Sequence, residues 1–294
     1  MKTVFEYTQR NVLVIPRALY GMRDVELIMQ SRNSGIFHKC LEQDLVDVEF
    51  YSTMPCFVYI ESGKEILTNC KNEHIELSAS NGVFLPQGAC LNSDFVKSTD
   101  RLSAYLVFFD GEVVSEFLRG FNVFPDPSSA SPDHCLVTDP DDLISNFFKT
   151  IQPKLTEPGY LSSKLLELLH LIAWREVDKK LPGMLLNMSQ QLPKRNLEQL
   201  LAQPDVLHLS VTDLAHLSGR SLSSFNRDFK QTFQSTPHKW LTDRRLFRAK
   251  ELIDVNGFTV TAAAAELGYE NVSNFIKAFK VRFGHTPKQN NPLK

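Results

Sequence analysis

The sequence predicts a two-domain α+β chain: a β-rich N-terminal part, a helical segment, and an all-α C-terminal part. Three observations carry this. Short apolar runs separated by turn signals fill residues 4 to 110. Helical spacing takes over from about residue 141. The last hundred residues contain one helical pattern twice, about fifty residues apart.

The strands come first. "NVLVIP", "VDVEFY", "CFVYIES", "GVFLP" and "LSAYLVFF" are rich in β-branched and aromatic residues. Ser62-Gly63, Asn81-Gly82 and Pro86-Gln87-Gly88 mark turns between them. Short strands at near-regular spacing predict a sandwich or barrel. Residues 125 to 141, rich in Pro, Ser and Asp, predict a loop. "DDLISNFFKTI" opens with acidic residues that suit a helix N-terminus. In "GYLSSKLLELLHLIAWREVDKK", Leu161, Leu165, Leu168 and Ile172 fall at spacings of 4, 3 and 4. That stripe fits a helix packed on its own barrel, or a helix pair between two subunits. Residues 180 to 195 hold two prolines and a glycine and predict a domain boundary. The expected division is 1 to 180, a linker at 181 to 194, and 195 to 294.

The totals narrow the class. A chain of 294 residues with 43% hydrophobic and 22% charged residues can bury a sizeable core. The longest apolar run, "LLELLHLIAW", is broken by Glu167 and His170, so no membrane span is expected. The N-terminus shows no secretory signal, and Cys40, Cys56, Cys70, Cys90 and Cys135 form no CxxC pair. Reduced thiols and a cytoplasmic protein are expected. The net charge of −2 hides an asymmetry. Residues 195 to 294 hold 14 basic against 9 acidic residues, a balance of +5, while the rest stands at −7. A polyanionic partner for the last third is implied.

The repeat gives that partner a mechanism. "VTDLAHLSG" at 211 to 219 aligns with "VTAAAAELG" at 260 to 268. After a one-residue slip, Phe225, Phe229, Lys230, Phe233, Thr236 and Pro237 meet Phe275, Phe279, Lys280, Phe283, Thr286 and Pro287. Each copy reads as a helix-turn-helix, over 210 to 233 and 259 to 283. Ala215 or Ala264 permits close crossing, and Gly219 or Gly268 ends the first helix and turns the chain. The second helix buries its phenylalanine stripe. At 100° per residue, Ser223, Arg227 and Lys230 then point outward, as do Ser273, Lys277 and Lys280. Short hydroxyls and long cations suit base edges and phosphates of a major groove, and Asn226 and Asn274 sit at the flank. A linker helix between the copies carries Arg244, Arg245 and Arg248 as phosphate candidates. It would hold two recognition helices in adjacent major-groove turns, roughly 34 Å apart.

With these residues in view, the sequence resembles the AraC/XylS family of bacterial transcription regulators. The resemblance rests on "DLAHLSGRSLSSFNRDFKQTFQSTPHKWLTDRRLFRAKELI" and "VTAAAAELGYENVSNFIKAFKVRFGHTP". It implies DNA contacts by Ser223, Asn226 and Arg227 in the first copy and by Val272, Ser273 and Lys277 in the second. The N-terminal part resembles a cupin-like sensor barrel. The family then implies dimerisation through helices at about 141 to 179, with Leu161, Leu165, Leu168 and Ile172 as interface candidates. His38 and His74 lie far apart and no HxH occurs, so no metal, no cofactor and no catalysis are expected. The resulting expectation is a cytoplasmic, nucleoid-associated DNA-binding regulator, an activator that also meets RNA polymerase. It would form a homodimer and answer to a small-molecule or protein effector. The competing expectation is a cupin-type enzyme or ligand-binding module whose C-terminal helices make only protein contacts.

Overall fold

The structure, a computed structural model, describes residues 3–8, 13–69, 72–97, 101–120, 135–140, 142–155, 157, 159–175, 180–186, 196–202, 206–207, 209–269 and 271–287. Most of the loop predicted at 125 to 141, and Cys70, lie outside them. The chain divides into two compact units between Leu192 and Pro193.

The first unit opens with α1 (Val4–Thr8) and eleven strands follow among the described residues, interrupted by a 3-10 turn (Arg17–Leu19) and one α-helix. They are β1 (Leu13–Ile15), β2 (Val25–Ser31), β3 (Ser34–Leu41), β4 (Leu45–Ser52), β5 (Cys56–Ser62), β6 (Lys64–Asn69), β7 (His74–Ser78), β8 (Gly82–Leu85), β9 (Cys90–Phe95), β10 (Leu102–Phe108) and, after α2 (Gly111–Arg119), β11 (Leu136–Thr138). Two sheets result, in the orders β1-β4-β9-β6-β7 and β11-β8-β5-β10-β3-β2. All pairings are antiparallel except β1 with β4.

Burial patterns show why the strands stack as they do. In β9 burial alternates, as in a strand with one covered face. In β5 Cys56 to Ile60 are buried without a break. Both of its faces are covered. Cys56, Val58 and Ile60 join Phe50, Leu67 and Phe95 in a core between the sheets. Phe57 and Tyr59 face the other way, into a second core with the helices. Those helices are α2, α3 (Asp142–Lys149), α4 (Tyr160–Arg175) and α5 (Lys180–Leu186). Asp110 caps α2 by accepting from the Glu112 and Val113 amides. Phe148 of α3 stacks on Tyr59 and Tyr105 with ring centroids 4.7 and 4.6 Å apart.

Two expectations change here. Leu161, Leu165, Leu168 and Ile172 are 0–5% exposed, inside the helix–sheet core of their own chain. The stripe already has a partner, so its side chains cannot be the surface between subunits. Pro182 and Gly183, read as linker, lie in α5, whose Leu181, Met184 and Leu185 join the same core. Proline is tolerated there because a first-turn amide has no intrahelical acceptor.

The second unit is helical in its described residues: α6 (Leu197–Ala202), α7 (Val211–Leu217), α8 (Leu222–Phe233), α9 (Pro237–Asp254), α10 (Val260–Glu266) and α11 (Val272–Phe283). The fold class is therefore α+β, a β-rich domain followed by a helix-turn-helix domain.

Candidate nucleic-acid interface

Each helix pair is fixed by local chemistry. Ser210 and Asp213 form a reciprocal capping box at the start of α7. Thr259 caps α10 by accepting from the Ala262 amide. Ser221 and Asn271 cap the second helices, α8 and α11. Between the helices, Gly219 and Gly268 take φ of 67° and 74°, a conformation that costs glycine little and other residues more. Ala215 and Ala264 are buried, and Phe225, Phe229, Phe275 and Phe279 are fully so. Phe229 meets Phe233 at 4.6 Å between centroids, and Phe279 meets Phe283 at 4.5 Å. The aromatic stripe is thus the same device in both copies.

That burial sets which side chains face water. Ser223, Asn226, Arg227 and Lys230 are exposed on α8. Ser273, Asn274, Lys277 and Lys280 are exposed on α11. Val272 differs: it is half-buried and packs against the core of the second copy. Asn226 donates its amide to the Leu222 carbonyl at 2.9 Å, one turn back. Its side-chain oxygen would be the atom offered outward. Arg227 lies 3.3 Å from Asp228, and Asp228 also accepts from Arg220 at 3.0 Å.

The three linker-helix arginines separate into different roles. Arg244 lies over the Trp240 ring, 5.1 Å from its centroid, and is exposed. Arg248 is exposed and pairs with Glu251 at 2.6 Å, a surface contact of small worth. Arg245 does not stand out from the helix as a phosphate arm. Its Nε donates to the Leu207 carbonyl and one terminal nitrogen to the Leu209 carbonyl at 2.9 Å. Burial lowers its pKa from the ordinary value, and the nearby Tyr269 phenol acts against that. Burial also holds Tyr269 above its ordinary value. Arg245 therefore joins the approach to the first helix pair to the turn of the second.

Sequence reading missed two further groups. Arg220 and Asp228 brace the turn against α8 across eight residues, a spacing no single helix pattern reveals. Arg282 of α11 pairs with Asp243 of α9 at 3.1 Å and lies 4.8 Å from the Phe247 ring centroid. Its charge was countable, but its partner comes from tertiary packing.

The arrangement presents two short helices of one unit, each with small polar groups near its start and cations further along. Such surfaces suit a polyanion with regular grooves. Among the described residues no group of three or more His, Cys, Asp or Glu side chains is placed to hold a metal ion.

Comparison with known proteins bears on both units. The profile of the family described as "Helix-turn-helix domain" matches residues 214–290. That described as "ExsA N-terminal regulatory domain" matches residues 55–182. The HTH-type transcriptional regulator ExsA of Pseudomonas aeruginosa is 26% identical over 109 residues, 36% of this chain and 39% of that protein. The virulence regulon transcriptional activator VirF of Yersinia enterocolitica is 23% identical over 197 residues, 64% of this chain and 67% of that protein. Among solved structures, an apo ToxT variant from Vibrio cholerae superposes with a TM-score of 0.44 at 12% identity, covering 88% of this chain and 97% of that one.

Proposed function

This chain belongs to the AraC/XylS family of transcription regulators, and on that premise we propose that it is a sequence-specific, promoter-binding activator. One observation carries the reading. Two helices buried by the same phenylalanine stripe turn hydroxyl, amide and cationic side chains outward in the same phase. The 18-residue helix α9 joins them. At 1.5 Å per residue it is about 27 Å long. With the width of each motif added, that suits successive major-groove segments roughly 34 Å apart.

In this reading Ser223, Asn226 and Arg227 address bases in one groove segment, and Ser273, Asn274 and Lys277 in the next. Val272 contributes the apolar edge that its half-buried position leaves available, suited to a thymine methyl. Lys230, Lys280, Arg244 and Arg248 supply charge toward phosphates. Arg245 leaves that group and becomes a structural link. The first unit receives the signal, and RNA polymerase is the downstream partner. The setting is the cytoplasm, at the nucleoid. The homodimer uses a face other than the stripe of α4, which is buried in its own chain. The activator role follows that of VirF, a transcriptional activator to which the chain is similar.

The test is chromatin immunoprecipitation with sequencing, in the wild type and in an Arg227→Ala/Lys277→Ala double variant. Discrete peaks that vanish in the double variant are expected. Identical peak sets in both would remove these helices from DNA recognition.

A further inference from the structure

The space between the two sheets is not a uniform hydrocarbon core. Strand alternation directs Lys39 inward between Phe37 and Leu41, Glu65 inward beside Leu67, and Ser93 inward between Leu91 and Phe95. Each of the three is more than nine-tenths buried. Lys39 Nζ donates to Glu65 Oε1 at 2.7 Å, and Ser93 Oγ donates to the same oxygen at 2.6 Å. The other carboxylate oxygen, Glu65 Oε2, is buried and has no hydrogen-bond partner among the described residues. The ammonium has three N–H groups and shows one acceptor.

A cavity of about 40 Å³ adjoins this pair. Its walls are aliphatic and aromatic, including Leu13, Ile15, Val48, Phe50, Val58 and Leu106. Val4 also lines it, and its amide donates to the Asp24 carboxylate at 2.9 Å. A buried carboxylate oxygen without a donor is costly, and a donor that reaches it from the cavity removes that cost.

We propose that this cavity binds a short, neutral, hydroxyl-headed aliphatic molecule, its hydroxyl donating to Glu65 Oε2 and accepting from Lys39. Head-group chemistry selects that class. A carboxylate would face Glu65 Oε2 without a donor of its own. An ammonium would lie beside the Lys39 ammonium and bring a charge into an apolar space. A sugar would bury hydroxyls against aliphatic walls that offer them no partners. Size selects the chain length. At roughly 10–15 Å³ per water, the cavity holds about three waters, or an alcohol of about three carbons. The proposal deepens the signal-receiving role proposed for the first unit and rests on it for its biological meaning, but not for its chemistry.

The test is saturation-transfer NMR on the full-length protein with three probes of equal length: 1-propanol, propionate and 1-propylamine as its cation. Saturable transfer to propanol is expected, with a dissociation constant on the order of 1 mM for so few atoms. Propionate and propylammonium should bind at least tenfold more weakly. Glu65→Gln should weaken propanol at least fivefold, because the acceptor at Oε2 is lost while the shape is kept. Val58→Leu, which grows one methylene into the cavity, should do the same without touching the charged pair. Thermal melts confirm that each variant is folded, and if one is not, the other decides. Absence of saturable transfer to the wild type would make the cavity a water site and overturn the proposal. So would equal binding of propionate or propylammonium, or propanol binding unchanged in the folded variants. Promoter binding measured on the same samples separates the two readings. A protein that binds its promoter but not propanol keeps the regulator and loses this site. The reverse outcome keeps the site and loses the regulator.

Discussion

The recognition helix of the first copy, α8, carries Arg227, Asp228 and Lys230, a balance of +1, whereas α11 of the second carries Lys277, Lys280 and Arg282, a balance of +3. Where α8 has Asp228, α11 has Ala278. Asp228 ties α8 to Arg220 in the turn and offsets Arg227. Lys277 has no acidic neighbour within α11. One scaffold thus carries two different surfaces. The first is braced and nearly neutral, suited to selective contact through directed hydrogen bonds. The second is cationic, suited to attraction that depends on salt. Arg282 is the exception within α11, since Asp243 of the linker helix holds it. The scaffold common to both copies rests on the phenylalanines, the small crossing residue, the turn glycine and the helix caps. Everything facing outward is free to differ.

The strongest way to break this equivalence is to remove the shared anchor. Phe229→Ala and Phe279→Ala each delete a fully buried ring, and each should cost about 3–5 kcal/mol of stability. Urea unfolding read by Trp240 fluorescence, in a Trp174→Phe background, measures both. Losses that differ by more than about twofold would mean the copies are not supported alike.

A smaller effect is expected at Arg245. Truncation to alanine leaves the Leu207 and Leu209 carbonyls without their charged donor. The expected loss is about 2–3 kcal/mol, measured by the same unfolding. Arg248→Ala, at an exposed ion pair, should cost less than about 0.5 kcal/mol. Equal losses would return Arg245 to the surface group.

The surfaces themselves are sharpened by DNA binding. Arg227→Ala and Lys277→Ala should each weaken operator affinity by about 1–3 kcal/mol. They should differ in kind. Lys277→Ala should lower the salt slope by about one as well as weaken its base contact, because a cation with no acidic neighbour in α11 is removed from the groove. Arg227→Ala should chiefly relax base preference. Salt titrations of both variants check this, and identical slopes would erase the contrast between the copies.

The smallest effect concerns the helix ends. Gln234 closes α8 at φ 51°, in the left-handed region, where α11 is closed by Gly284 at φ 81°. Gln234→Gly should stabilise by about 0.5–1 kcal/mol, and Gly284→Gln should destabilise by about 1 kcal/mol. Thermal or urea unfolding gives both signs.

Much of the C-terminal unit was legible because its determinants are local. A phenylalanine every four residues, a glycine at a turn and a hydroxyl at a helix start each act within one or two turns of chain. The outward phase of Arg227 and Lys277 follows from the same periodicity. Arg245 was not legible, since it too is spaced like a surface residue, and its acceptors lie 38 and 36 residues earlier. Val272 occupies a first-turn position that periodicity leaves between core and solvent, and packing drew it inward. For α4 the spacing established that a stripe is buried, but spacing cannot say against what. The sheet of the same chain turned out to be the partner. Lys39 and Glu65 were hidden differently. Their alternation points inward, yet charged residues are seldom buried unless paired, and the pairing of β3 with β6 residues is a tertiary fact.

The most direct measurement is guanine methylation footprinting on an operator selected from random DNA by the wild-type protein. Two protected major-groove blocks, one helical turn apart and bound by a single chain, are expected. Arg227→Ala should remove protection in one block and Lys277→Ala in the other. A single protected block, or both blocks lost together in each variant, would contradict the reading of two successive groove segments by two helices of one chain.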